Sequence, residues 1–192
     1  SPLLRRVVIP ESAIHLGIGA FAQTDSLRSI NIPLGVTEIP DLFLAYSNEI
    51  DTIIIPDGVT RIGSSAFQWD YDLSYIKLPK NLKSIDSYAF EATNVVEFVF
   101  PETLELIGRG AFNGLKYLKK VYCMAKTPPI AELDPINDYD GPFYWSGKNC
   151  TLYVPKGSGD LYRNASGWQD FQQVVETDNF PSSCGITFAP SC

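Results

Sequence analysis

Residues 73–90 read LSYIKLPKNLKSIDSYAF, and the two halves of this stretch recur along the chain. The first half appears as LRRVVIP, LRSINIP, IDTIIIP, LSYIKLP and VVEFVFP. These phrases end at Pro10, Pro33, Pro56, Pro79 and Pro101, so the spacing is 23, 23, 23 and 22 residues. The second half appears as AIHLGIGAF, VTEIPDLF, VTRIGSSAF, LKSIDSYAF and LELIGRGAF. A fixed period of this size marks a solenoid, in which each repeat buries its apolar side only against its neighbours.

One repeat shows how the coil is built. From Tyr75 to Leu78, polar and apolar residues alternate with period two, as in a strand with one buried face. Pro79 stops that strand because it has no N–H for the next rung. Leu82 and Ile85 point inward on the return path. Asp86 follows, where other repeats have Gly17, Gly63 and Gly108. Glycine tolerates a left-handed backbone, so a sharp corner is expected there. Phe21, Phe67, Phe90 and Phe112 then form a column on the far side, each behind a small alanine. The repeat from Leu27 departs: Pro40 replaces glycine and Phe43 comes one residue early, so a differently shaped turn is expected.

The predicted fold is an α/β solenoid dominated by short parallel strands, with few helices. Strands are expected near 4–9, 27–32, 50–55, 73–78, 95–100 and 118–123. Six of them make a sheet about 24 Å wide at ~4.8 Å per strand. The repeats are assigned to residues 1–150, with an insertion loop at about 127–149. A cap is assigned to 151–178 and a tail to 179–192.

Composition limits the partners. The chain has 192 residues, 45% of them hydrophobic, and 22 acidic against 15 basic side chains for a net charge of -7. Nucleic acid needs a basic stripe, which this balance does not supply. No apolar run approaches a membrane span. The abrupt opening at Ser1-Pro2 is read as a mature or trimmed end. Cys123 takes the inward place of Ile32, Ile55, Leu78 and Phe100, as a small hydrophobe. Cys150 lies too far along its strand to bridge it. Cys184 and Cys192 flank a short terminal segment. A disulfide there fits an exported protein, and free thiols fit a cytosolic one.

The phrase L-x-x-I-x-I-P-x-x-V-x-x-I-G-x-x-A-F resembles the leucine-rich repeat of BspA-like bacterial surface proteins, over residues 4 to about 123. CMAKTPP, followed by TLYVPKGSGDLYRNASGWQDFQQVVE, resembles the final turn and C-terminal cap of the same family. The resemblance implies a right-handed leucine-rich-repeat solenoid that is exported and attached to the bacterial cell surface. It also implies adhesion to host matrix proteins or other cells as a function. Commoner leucine-rich repeats carry an asparagine ladder; this chain has Gly35, Gly58, Asn81 and Thr103 at the matching place. A cap is physically required, because the last apolar cross-section must be covered. GDLYRNA is expected to form a short helix with Leu161 and Tyr162 inward. Trp168 and Phe171 supply apolar area, VVE returns as a strand, and FYW at 143–145 packs the large loop against the cap. At the first turn, either an upstream segment covers the end or an open edge remains.

Catalytic chemistry finds no constellation. The single histidine, His15, falls on an outward position without convergent partners. G-x-S-x-G is absent, and GSGD at 157–160 lacks the lysine and hydroxyl of a phosphate loop. ELDPINDYDG offers Glu132, Asp134, Asp138 and Asp140, but Ile136 stands where a calcium loop needs an oxygen. The reading is a solvated loop, with no metal and no cofactor.

Binding is the remaining class. Val8, Asn31, Ile54, Lys77, Val99 and Tyr122 form the outward strand column, with Tyr75 and Lys120 alongside. Exposed apolar and tyrosine side chains on a rigid sheet suit a binding patch; β-branched residues are also simply good strand formers. Trp69 and Tyr71, in QWDYD, could stack on sugar rings or pack on a neighbouring corner. The predicted function is therefore a non-catalytic, surface-exposed module for protein interaction or adhesion. The alternatives are a glycan-binding module or a spacer that displays an upstream domain.

Overall fold

A computed structural model of the chain describes residues 4–134 and 141–181. Cys184 and Cys192 lie outside the described residues. In chain order the strands of the first five repeats are β1 (Arg6–Val7), β2 (Ser29–Ile30), β3 (Glu38–Ile39), β4 (Thr52–Ile54), β5 (Arg61–Ile62), β6 (Tyr75–Lys77), β7 (Ser84–Ile85), β8 (Glu97–Phe100) and β9 (Leu106–Ile107). They are followed by β10 (Lys120–Cys123), β11 (Ile130–Ala131), β12 (Thr151–Pro155), the helix α1 (Gly159–Asn164) and β13 (Gln173–Thr177).

All pairings are parallel, and the strands form two faces of one coil of about seven turns. The first face carries β1–β2, β4–β6 and the four-stranded run β8–β10–β12–β13. The second face is the five-stranded sheet β3–β5–β7–β9–β11. Its register, Glu38↔Arg61↔Ser84↔Leu106↔Ile130, follows the sequence period. The first face has eight rungs, two more than the six repeat phrases, because β12 and β13 continue it. Within the stretch 127–149, Ile130–Ala131 form a rung of the second sheet and Phe143 joins the interior.

The interior follows from the alternation. Phe98, Phe100, Val121, Cys123, Leu152 and Val154 are all fully buried on successive strands of the first face. On the far side, Phe67, Phe90, Phe112 and Phe143 stack at centroid distances of 5.3, 5.6 and 5.2 Å. Each ring removes about 1.5–3 kcal/mol worth of apolar surface from water. The near-parallel rings follow from one backbone geometry repeated at each turn.

The shape of the corner differs from expectation in two respects. Left-handed φ occurs at Gly19, Leu42, Ser65, Tyr88 and Gly110, not at Gly17, Gly63 or Gly108. Glycine at 63 and 108 is required by close approach instead. A Cβ on Gly63 would fall 2.6 Å from the Asp41 backbone nitrogen, and one on Gly108 only 2.4 Å from that of Ser87. The turn with Pro40 also keeps the common shape. Leu42 has φ 58° and Tyr46 φ 63°, matching Ser65 and Trp69 one turn later. Because φ at the Pro40 position is not left-handed, proline fits there. Leu44 takes the phenylalanine place, and Phe43, in the alanine place, meets Phe21 edge-on at 5.6 Å.

A buried polar ladder runs beside the phenylalanine column. Thr24, Ser47, Asp70, Thr93 and Ser146 each follow a column residue by three positions. The Thr93 hydroxyl donates to the Phe90 carbonyl at 3.1 Å, and that of Ser146 to the Phe112 carbonyl at 2.6 Å. In the other direction, side-chain oxygens receive backbone N–H groups from the preceding turn: Ser47 N–H to Asp70 Oδ1 at 2.6 Å, and Leu115 N–H to Ser146 Oγ at 2.8 Å. These bonds satisfy corner groups that no strand partner can reach.

The C-terminal end closes over the last turn. Tyr162, Trp168 and Phe171 are buried. Tyr162 donates its hydroxyl to the Ala125 carbonyl at 2.7 Å, and Trp168 its indole N–H to the Pro129 carbonyl at 2.9 Å. Leu161, expected inward, is 53% exposed, because α1 turns only the Tyr162 side to the core. From FYW, Phe143 packs against the cap, 5.1 Å from Trp168 and 4.7 Å from Phe171, whereas Trp145 is 68% exposed. Cys123 and Cys150 are both free and buried, and burial pushes their thiols up to about 11 and about 12. Neither is a nucleophile at neutral pH.

Candidate functional site

The outer surface of the first sheet gathers most of the residues singled out above. Strand register places Val99, Tyr122, Tyr153 and Val175 side by side across four strands. Ile54 lies beside Lys77 in β4–β6. Val8 and Ile54 are exposed, whereas Lys77, Val99, Tyr122 and Tyr153 are half-buried. Tyr122 and Tyr153 stack at 4.6 Å, and Phe180 meets Tyr122 edge-on at 6.5 Å. Burial by these rings raises the Tyr122 phenol above its usual value, with Lys120 opposing the shift. The phenol therefore stays protonated and can donate a hydrogen bond.

A parallel row lies two residues earlier. It runs Thr52↔Tyr75 and Glu97↔Lys120↔Thr151↔Gln173. Asn31 has a separate role. Its amide accepts from Ile9 N–H at 2.7 Å and donates to Ile9 carbonyl at 2.9 Å, so it clamps the first turn. Tyr153, Val175 and Phe180 were not singled out by sequence reasoning. The signal for Tyr153 was present: aligning Val154 with Cys123 puts it beside Tyr122.

Trp69 and Tyr71 lie apart from the sheet, on the corner. Their rings are 6.3 Å apart, and Tyr46 from the preceding turn lies 5.7 Å from Trp69. The rings pack on one another and all remain at least 40% exposed.

His15 is exposed. A surface depression of about 470 Å³ is lined by Ser87, Arg109, Glu132 and Leu133, and there Arg109 pairs with Asp134 at 2.6 Å. Among the described residues no three metal-ligating side chains cluster, and Asp138 and Asp140 lie outside them. No helix of the described residues is long and apolar enough to cross a membrane.

A coil of short parallel strands wound around a phenylalanine column defines a strand-dominated leucine-rich-repeat scaffold. The family model for the BspA type leucine rich repeat region matches six copies over residues 1–119. The chain belongs to that family, which is a non-catalytic repeat scaffold. Two solved structures share the fold. A leucine rich cell surface protein from Faecalibacterium prausnitzii A2-165 is 18% identical with a TM-score of 0.55, over 90% of this chain and 57% of its own. A leucine-rich repeat protein from Eubacterium ventriosum ATCC 27560 is 17% identical with a TM-score of 0.52, over 89% and 48%. This chain thus spans about half the length of these structures. No curated protein matches it.

Proposed function

We propose that this chain is a displayed recognition module that binds a protein partner on the outer surface of its first sheet. The observation that carries this reading is a parallel sheet whose outer face, among the described residues, stays partly open to solvent. Parallel sheets are ordinarily covered on both faces. Here the outer face presents Val8, Ile54, Lys77, Val99, Tyr122 and Tyr153 to solvent or in part to solvent. A rigid row of apolar and tyrosine side chains costs little ordering entropy on binding. We assign the repeats to residues 1–150, the cap to 151–178 and the tail to 179–192. The likeness to a leucine rich cell surface protein supports export and surface display, and we take the partner to be a host matrix or cell-surface protein. A spacer would need no such row.

The test is a solid-phase binding screen against matrix and cell-surface proteins, using the parent and Tyr122→Ala. Tyr122→Ala is expected to keep the parent melting temperature within a few degrees and to weaken binding at least about tenfold. A partner that binds Tyr122→Ala and Ile54→Ser as tightly as the parent would rule out this face.

A further inference from the structure

We propose that the corner bearing Trp69 is a second binding site, for a neutral glycan chain, separate from the strand face. One corner position recurs as Gln23, Tyr46, Trp69, Ala92, Gly114 and Trp145 in successive turns. All six have left-handed φ, at 57°, 63°, 65°, 57°, 70° and 67°. This conformation favours glycine and disfavours bulky side chains. Three of the six are nevertheless aromatic, and Tyr46, Trp69 and Trp145 are 40%, 40% and 68% exposed. Inter-turn hydrogen bonds hold the backbone in place: Tyr46 N–H donates to Gln68 at 2.9 Å and Trp69 N–H to Glu91 at 2.9 Å. Strain is thus retained at two consecutive turns and again near the cap, each time displaying a ring to water. Packing does not require those rings, since Ala92 and Gly114 serve the same backbone role.

The order along the coil has a shape. Tyr46, Trp69 and Tyr71 form a tilted platform, with interplanar angles of 40° and 55°. Next come Ala92 and Gly114, a low floor; a Cβ on Gly114 would meet nothing closer than Ala92 at 3.8 Å. Trp145 then rises at the far end. Three turns separate Trp69 from Trp145, about 14 Å at ~4.8 Å per turn. The result is a saddle with aromatic ends, long enough for a short oligosaccharide.

The rim chooses the ligand chemistry. Gln68 Nε2 donates to the Glu91 carboxylate beside Trp69, and Asn94 Nδ2 donates to the Tyr71 carbonyl. Asn48 accepts from Tyr71 N–H at 3.3 Å. Amides and carboxylates next to flat rings suit a pyranose, whose C–H face stacks while its hydroxyls donate outward. Asp72 and Glu91 disfavour uronate, sulfate and phosphate groups through like charge, whereas the nearby Glu49 is paired with Arg28 at 2.9 Å. An apolar peptide anchor would need a closed pocket, and a saddle open to solvent offers none.

The experiment is tryptophan-fluorescence titration with neutral oligosaccharides of glucose, mannose, galactose and N-acetylglucosamine, beside uronate and sulfated oligosaccharides. The neutral series is expected to quench at least one member's signal saturably, with the acidic series weaker. Trp69→Ala and Trp145→Ala, followed by calorimetry, should each weaken binding roughly tenfold. Trp69→Phe should retain most of it. Absence of any neutral ligand, preference for the acidic series, or unchanged affinity in Trp69→Ala would overturn the site. Unchanged affinity in Trp145→Ala would refute the span across Ala92 and Gly114. Tyr122→Ala should leave glycan binding unchanged, which separates this site from the strand face.

Discussion

Asp70 is the one ionisable member of a buried ladder otherwise made of hydroxyls, and replacing it by asparagine gives a quantitative test of that ladder. Its side chain is 1% exposed, and its Oδ1 accepts the Ser47 N–H at 2.6 Å. Burial pushes the carboxyl up from 3.8 to about 9, opposed only by that backbone hydrogen bond. The native state therefore holds a proton that the unfolded chain releases above pH 4. Stability from this group is fully present below about pH 4 and is lost as pH rises toward 9. At pH 7 the native state has been penalised over roughly three pH units at 1.36 kcal/mol each, up to about 4 kcal/mol. Asp70→Asn keeps an acceptor for Ser47 and cannot ionise. It should match the parent within about 1 kcal/mol at pH 4 and exceed it by up to about 4 kcal/mol at pH 7. Urea unfolding at half-unit steps from pH 4 to pH 8 gives this difference directly. Taking variant minus parent cancels the other groups, including Asp170, which burial also shifts upward. A variant that is weaker at pH 7, or a difference independent of pH, would refute the reasoning.

Other perturbations probe the coil. Phe90→Ala removes a ring stacked between Phe67 and Phe112 and should cost about 3–5 kcal/mol in urea unfolding. Gly108→Ala places a Cβ against the Ser87 backbone and should lower the melting temperature markedly, while Gly17→Ala, whose Cβ would meet only Ala20 at 3.8 Å, should not. Ile62→Asp buries an unpaired charge at a fully buried position between turns and should leave little folded array by circular dichroism.

The repeat was legible because its causes are local. Alternation from Tyr75 to Leu78 and a proline at each strand end depend on residues close in sequence, and the structure places Ile53 and Ile76 inward as the pattern requires. The polar ladder was recorded in the sequence too, as Phe90-x-x-Thr93 and Phe143-x-x-Ser146. It went unread because its hydrogen bonds cross from one turn to the next. The extension of the strand-face row by Tyr153 and Val175 was obscured by the longer interval between β10 and β12, which breaks the period.

By itself, the sequence determined the period, the inward and outward faces of the repeat strands and the need for a cap, since each follows from which side chains avoid water; the family was legible in the repeated motif. The tertiary structure alone decided the conformation of the corners. Leu42, Ser65, Tyr88 and Gly110 share one left-handed φ although they share no chemistry. Hydrogen bonds between turns, such as Ser65 N–H to Ser87 at 2.9 Å and Tyr88 N–H to Arg109 at 3.0 Å, impose that conformation on whichever residue occupies the place. The backbone of the neighbouring turn, not the residue's own preference, therefore sets where Tyr46, Trp69 and Trp145 project.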